Sequence, residues 1–272
     1  MLAEIRKDKI WAGLAALFSI VSIWPLLGTS FIPLHDLPDH VGLAALVWDI
    51  LEPGTLAQRE LALQSYPVPY WTLYIFIALL SPLIGSLVAA KIFVALCVLC
   101  LPWGVMRLLW ALGKDPRLGL LSFLLVWDFN LSWGFVAYHF GTGLVFWALA
   151  SLVRASQWRD LVKVVPLFML AALTHAQSYG ILVLACVFLG LALGDFKRRV
   201  PLFVSSLFLG GVPLLPWLWV RATSGGGKGV PNLWARFHGF GEKIKKIFEY
   251  TVDILPEKAN PHLPGWVLLF FF

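Results

Sequence analysis

Charge is scarce in this sequence. Asp, Glu, Lys and Arg together make up 13% of its 272 residues, against about 25% in a soluble domain. Hydrophobic residues reach 60% and the mean hydropathy is +0.82. So few polar side chains cannot cover the surface of a water-soluble globule, and the same figures exclude intrinsic disorder. Cysteine is scarcer still. Three in the whole chain, Cys97, Cys100 and Cys186, exclude a secreted disulfide scaffold. Cys97-x-x-Cys100 lies inside an apolar run and reads as packing rather than as a zinc or redox motif. The glycine run Gly225-Gly226-Gly227-Lys228-Gly229 lacks the Ser or Thr of a phosphate-binding loop and follows no strand. What remains is an all-α, polytopic membrane protein. The 14 Trp fit that class, because Trp concentrates at membrane–water interfaces. The net charge of +6 then marks a cytoplasmic face, and no nucleic-acid partner is expected.

A bilayer core about 30 Å thick needs roughly 20 mostly apolar residues per helix. The first such run, Ile10 to Gly28, follows Arg6, Lys7 and Lys9. It is long for a signal peptide and no small-x-small cleavage site follows it, so it reads as a retained signal anchor. A first outer loop, residues 29–85, carries Leu34-His35-Asp36-Leu37-Pro38-Asp39-His40 and a helical piece, Val41 to Leu51. Apolar sequence resumes at Tyr70 and runs to Leu112, broken at Ser81-Pro82-Leu83-Ile84-Gly85. Read as one interfacial helix up to Ile84 plus one span, Ser86 to Trp110, it places twelve basic residues before position 221 on the cytoplasmic side and leaves only Arg59 and Lys91 outside. Read as two spans, it would turn nine of the twelve outward, against the positive-inside rule. Further spans are expected at Arg117–Ser132, Gly141–Ala155, Val162–Ala176, Tyr179–Gly194 and Val200–Val220. The expectation is therefore a single transmembrane domain of about seven helices, multi-pass, with the N-terminus cytoplasmic in a bacterial-type inner membrane. A last outer loop, 221–264, contains an amphipathic interfacial stretch, Gly241 to Leu255. The run from Gly265 to Phe272 reads as the start of an eighth span whose C-terminal part is missing.

On this topology all six histidines, His35, His40, His139, His175, His238 and His262, lie on the outer side. Asp36, Asp39 and His40 cluster around Pro38. A carboxylate there can serve as a general base, and Asp with His can bind a divalent cation. Asp39 is equally placed to cap a helix starting at His40. Asp128 lies about one turn below the outer end of its span, and an ionisable residue at that depth is a functional candidate. Tyr138 and His139 follow Trp133-Gly134-Phe135 in the second outer turn, while His175, Gln177 and Tyr179 form the third. His35, Asp39, His40, His139 and His175 together offer a metal-binding set as a further reading. An ordinary interfacial anchor is the plainer one for each aromatic residue.

This layout resembles the C-type glycosyltransferase superfamily (GT-C), polytopic enzymes that take sugars from polyprenyl-phosphate or pyrophosphate carriers. Asp36-Leu37-Pro38-Asp39-His40 resembles the Asp-x-Pro-x-His opening of bacterial members. Pro69-Tyr70-Trp71 resembles the start of their interfacial helix, Ala89-Ala90-Lys91 the opening of their second span, and Trp133-Gly134-Phe135 with Tyr138 their second outer loop. The resemblance covers residues 1–220 and is one of layout. It implies a GT-C-like glycosyltransferase with Asp36 as the base, Asp39 second and His40 beside them. Lys91 or Arg59 would face the lipid phosphate, and Asp128, Tyr138, His139 and His175 would line the substrate site. The implied partners are membrane lipid and a polyprenyl-phosphate-linked sugar. Many members carry an acid at the tip of the second outer loop, where this chain has Tyr138 and His139. A divalent cation held by Asp36, Asp39 and His139 is thus the metal candidate. A polytopic protein without catalysis, a transporter or an assembly scaffold, is the alternative.

Overall fold

The computed structural model describes residues 8–192 and 196–223, with side chains from 8–192 and 200–223. Helix is the only regular secondary structure among the described residues, and none lies in a strand. Helix α1 (Lys9–Leu27) begins where the Asp8 carboxylate accepts the Trp11 amide at 3.0 Å, leaving one fewer orphan N–H at its first turn. Helix α2 (Leu37–Leu51) starts three residues earlier than the expected start at His40, and Asp36, not Asp39, is its N-cap. Pro38 permits this: it sits in the first turn, where a missing N–H costs nothing. A short α3 (Leu56–Glu60) and then α4 (Trp71–Ile84) complete the first loop, so the span 29–85 is largely helical. Gly85, at φ 80°, separates α4 from the 26-residue α5 (Ser86–Ala111), which at about 1.5 Å per residue is roughly 39 Å long.

The expected span Arg117–Ser132 is different in kind. It forms a 3₁₀ helix (Pro116–Leu125) and then a single α-turn, α6 (Phe129–Ser132). Two local causes are visible. The Ser122 hydroxyl bonds the Gly119 carbonyl three residues back, at 2.5 Å, matching the 3₁₀ period. Gly119 lies against the Met106 backbone, so that a Cβ would come within 3.0 Å of the Met106 Cα. A 3₁₀ helix rises about 2.0 Å per residue, so ten residues reach about 20 Å. Next come α7 (Val136–Arg154), a 3₁₀ turn (Trp158–Asp160), α8 (Leu161–Thr174) and α9 (Ala176–Ala192). The chain continues through α10 (Phe196–Gly211), a 3₁₀ turn (Val212–Leu214) and α11 (Leu215–Thr223).

Four helical stretches among the described residues are long and apolar enough to cross a bilayer: Lys9–Leu27, Ser86–Ala111, Val136–Arg154 and Val200–Thr223. The expected spans at Val162–Ala176 and Tyr179–Gly194 correspond to helices of 14 and 17 residues, below that length. The stretch Gly241–Leu255, the run from Gly265, His238 and His262 lie outside the described residues.

The centre of the molecule is α5. Phe93 stacks edge-on against Phe76 of α4 (5.3 Å) and Phe140 of α7 (5.1 Å). Gly104 and Gly143 let α5 and α7 meet almost backbone to backbone. A Cβ on Gly143 would lie 2.8 Å from the Cys100 Sγ and 2.9 Å from the Leu101 amide nitrogen. The Trp147 indole N–H closes this contact by donating to the Cys100 carbonyl at 3.0 Å. A second cluster, built on Ala148, Leu152, Phe168, Ala171 and Leu182, joins α7, α8 and α9. Many large apolar side chains still face outward, among them Trp24, Leu83, Phe188 and Trp219. An exposed apolar surface on that scale is costly in water and is what lipid chains cover.

Candidate functional site

The stretch before α2 meets the turn before α7. The amides of His35 and Asp36 donate to the carbonyls of Ser132 and Trp133, both at 3.1 Å. This approach requires Gly134. Its φ is 88°, and a Cβ there would lie 2.5 Å from the Asp36 nitrogen. Asp36 caps α2 by position, yet its carboxylate makes no cap hydrogen bond. It is left for the His35 imidazole, whose Nδ1 lies 2.7 Å from Oδ1, and the His35 ring rests on Trp133 with centroids 5.0 Å apart. The carboxylate remains about one-third exposed, at 35%.

One turn along α2, His40 enters a chain of rings. Its Nδ1 lies 2.9 Å from the Tyr74 hydroxyl, and its ring stacks on Tyr70 at 5.3 Å. Tyr70 in turn places its hydroxyl 3.1 Å from the His175 Nε2. His175 has Tyr138 edge-on at 5.3 Å. The bond pattern assigns the His175 tautomer. The Gln177 amide donates to Nδ1 at 3.2 Å, so in the neutral ring the proton sits on Nε2 and is donated to the Tyr70 oxygen. The Tyr70 hydroxyl proton is thereby free for another acceptor. Burial pushes Tyr70 up from its usual acidity, and the Asp36 charge adds to the effect, so this hydroxyl stays a donor at neutral pH. Burial pushes the Tyr74 hydroxyl up as well, with Tyr70 contributing. His40 is held below 6.5 by burial, against an opposing pull from Asp36 and Asp39. Burial lowers His175 in the same direction.

Tyr70 is the one described non-glycine residue in the left-handed region, with φ at 79°. A bulky side chain there costs about 1–3 kcal/mol and persists only where its surroundings over-determine it. Here they do. The Tyr70 amide donates to the Thr174 carbonyl at 3.0 Å, and the Thr72 hydroxyl donates to the Thr174 hydroxyl at 2.8 Å. Thr174 passes its own proton to the Leu170 carbonyl at 2.6 Å.

The remaining candidates separate. Asp128 caps α6 by accepting the Leu131 amide at 2.9 Å and bonds Asn130 at 3.2 Å. Its Oδ1 also lies 3.4 Å from Nδ1 of His139, a ring only 3% exposed whose Nε2 is buried without a partner. Lys91 donates to the Thr29 carbonyl and edges a crevice of about 10 Å³ with Phe31, Leu37, Val41 and Leu87. Arg59 is exposed on α3 and reaches back to the Gly54 carbonyl at 3.4 Å. Asp39 is exposed in the first turn of α2.

Thus Asp36, His40, Tyr138 and His175 converge on one end of the bundle, while Arg59 stays in its own loop. The proposed ligand set Asp36, Asp39 and His139 is split, since Asp36 pairs with His35 and His139 with Asp128. Among the described residues no three or more His, Cys, Asp or Glu come together as ligands. Sequence reasoning passed over Tyr70 and Tyr74 as members of the ring cluster. Tyr70 and His175 are 105 positions apart, and no spacing links them. Comparison with protein-family models, curated proteins and solved structures gives no match.

Proposed function

We propose that this chain is a membrane-embedded transferase of GT-C-like layout, moving a sugar from a polyprenyl-phosphate carrier to an acceptor hydroxyl. The reaction takes place at the bundle end that bears Asp36, the outer face of a bacterial-type inner membrane on a seven-span topology with the N-terminus inside. Asp36 takes the proton of the acceptor hydroxyl. The acceptor oxygen then bonds the anomeric carbon, and the bond from that carbon to the carrier phosphate breaks, its electron pair leaving on the phosphate. Lys91 meets that charge, and the Tyr70 hydroxyl proton is the donor for a sugar or phosphate oxygen.

The observation that carries this reading is the state of Asp36. Its carboxylate is not spent on capping α2, is partly exposed, and sits one helical turn from the His40–Tyr70–His175 chain. A second reading, a polytopic protein without catalysis such as a transporter or assembly scaffold, is favoured by the crevice beside Lys91. Its volume of about 10 Å³ has room for one water and not for a sugar.

The experiment uses the full chain in proteoliposomes with a panel of radiolabelled polyprenyl-phosphate-linked sugars, reading label lost from the lipid phase. The wild type releases label, and Asp36→Ala lowers release by about 10²-fold or more. Undiminished release by Asp36→Ala removes Asp36 from the chemistry. No release by the wild type from any carrier leaves the second reading.

A further inference from the structure

At the other end of the α5–α7 pair, two arginines reach across to each other's helix. Arg107 of α5 lies over the Trp147 ring of α7, with its guanidinium carbon 4.9 Å from the centroid. Arg154, the last residue of α7, lies over Trp110 of α5 at 3.9 Å. The close contact of the two helices leads into this end, since a Cβ on Gly104 would lie 2.8 Å from the Trp147 ring. Trp147 is fixed by its bond to the Cys100 carbonyl, so the platform beneath Arg107 is rigid.

Among the described residues no carboxylate pairs with either one. The Arg107 Nε is buried with no hydrogen-bond partner. The acids that follow each helix in sequence are engaged elsewhere: Asp115 holds Arg117 at 2.9 Å, and Asp160 accepts the amides of Ser156 and Gln157 at 2.9 and 3.0 Å. Each guanidinium lies over a Trp of the other helix, so the two charges share this end of the pair. Two like charges are thus held together on aromatic faces, with planar N–H forks unfilled. A guanidinium fork matches the oxygens of a phosphate two at a time, and basic pockets between transmembrane helices bind acidic headgroups.

We propose that Arg107 and Arg154 form a binding site for a phosphate-bearing anion, with an acidic phospholipid headgroup as its source when the chain is in a bilayer. The anion satisfies the buried Arg107 Nε and relieves the repulsion between the two arginines. The Trp147 and Trp110 rings hold both forks open toward the headgroup layer.

The test is native mass spectrometry of the full chain released from detergent micelles doped with dioleoylphosphatidylglycerol or dioleoylphosphatidylcholine. The wild type retains phosphatidylglycerol in preference to phosphatidylcholine. The double variant Arg107→Gln/Arg154→Gln loses that preference by roughly tenfold or more. Arg154→Gln alone, at an exposed helix end, serves if the double variant does not fold, and it loses part of the preference. Millimolar inorganic phosphate separates the sources: displacement of the lipid assigns the site to the free anion, and persistence assigns it to the headgroup. A wild type without preference, or variants that keep it in full, overturns the proposal.

Discussion

Tyr70 holds an unfavourable backbone angle so that its ring can lie between His40 and His175, and its hydroxyl bonds the His175 ring at the α8–α9 turn. Tyr70→Phe keeps the ring and removes that tie, so a stability loss of about 1 kcal/mol is expected, read as a drop in the thermal unfolding midpoint. Gly134 carries a larger constraint. Ala at that position meets both a positive φ and the Asp36 nitrogen, so Gly134→Ala costs about 1–3 kcal/mol. Its thermal midpoint falls further than that of Tyr70→Phe. The two imidazoles set a pH dependence. Burial holds His40 and His175 below 6.5 in the folded chain, with Asp36 and Asp39 opposing at His40. Below 6.5 the unfolded chain binds more protons than the folded one. Stability from these groups is therefore complete above 6.5 and declines as pH falls from 6.5 toward the depressed folded values. Midpoints measured from pH 7.5 down to 5 should fall, and fall less in a His40→Gln/His175→Gln variant. An equal fall in both would show that other groups carry the effect.

The helices differ in what made them readable. α1, α5 and α7 are long and mostly apolar, and hydropathy with the distribution of basic residues locates them, although α7 starts at Val136, five residues before the expected Gly141. The run 117–132 is apolar apart from Arg117, Asp128 and Asn130, yet it becomes a 3₁₀ helix and one α-turn. What decides its form is the Gly119 contact with Met106 and the Asp128 cap, and neither changes hydropathy. The α5–α7 crossing rests on glycine. Gly143→Ala drives a Cβ into Cys100 and the Leu101 backbone and should cost about 1–3 kcal/mol. Gly13→Ala on α1 meets nothing within 4 Å and should be neutral or stabilising by up to about 1 kcal/mol, since Ala loses less backbone entropy in a helix. Unfolding in mixed dodecyl maltoside and dodecyl sulfate micelles compares the two. Equal effects would remove the close crossing as the cause.

For the molecule as a whole, sidedness is the property on which the candidate site depends. Asp36 and the His175 turn lie at one end of the bundle. Gln157 lies beyond the far end of α7, a helix of 19 residues and so about 28 Å away. Single cysteines at the partly exposed position Asp36 and the exposed position Gln177 should react with an impermeant maleimide from the same side of sealed vesicles, and one at Gln157 only from the other. Labelling of Asp36→Cys and Gln177→Cys from opposite sides would dissolve the cluster as a site.

Hydropathy determined that this chain belongs with lipid, and hydropathy with the placement of Lys and Arg determined where its longest helices run, because burying an apolar helix in a bilayer depends mainly on composition over some twenty residues. The pairing of Asp36 with its neighbour His35, and the place of His40 one turn further on, were also within reach, since both are local. Only the tertiary structure decided that Tyr70 stands between His40 and His175, that His139 turns inward to Asp128 rather than joining Asp36, and that Arg107 and Arg154 share an end where no carboxylate among the described residues pairs with either. Each of these depends on how closely two distant helices approach, and that distance is set by side-chain volume and backbone contact at the crossing.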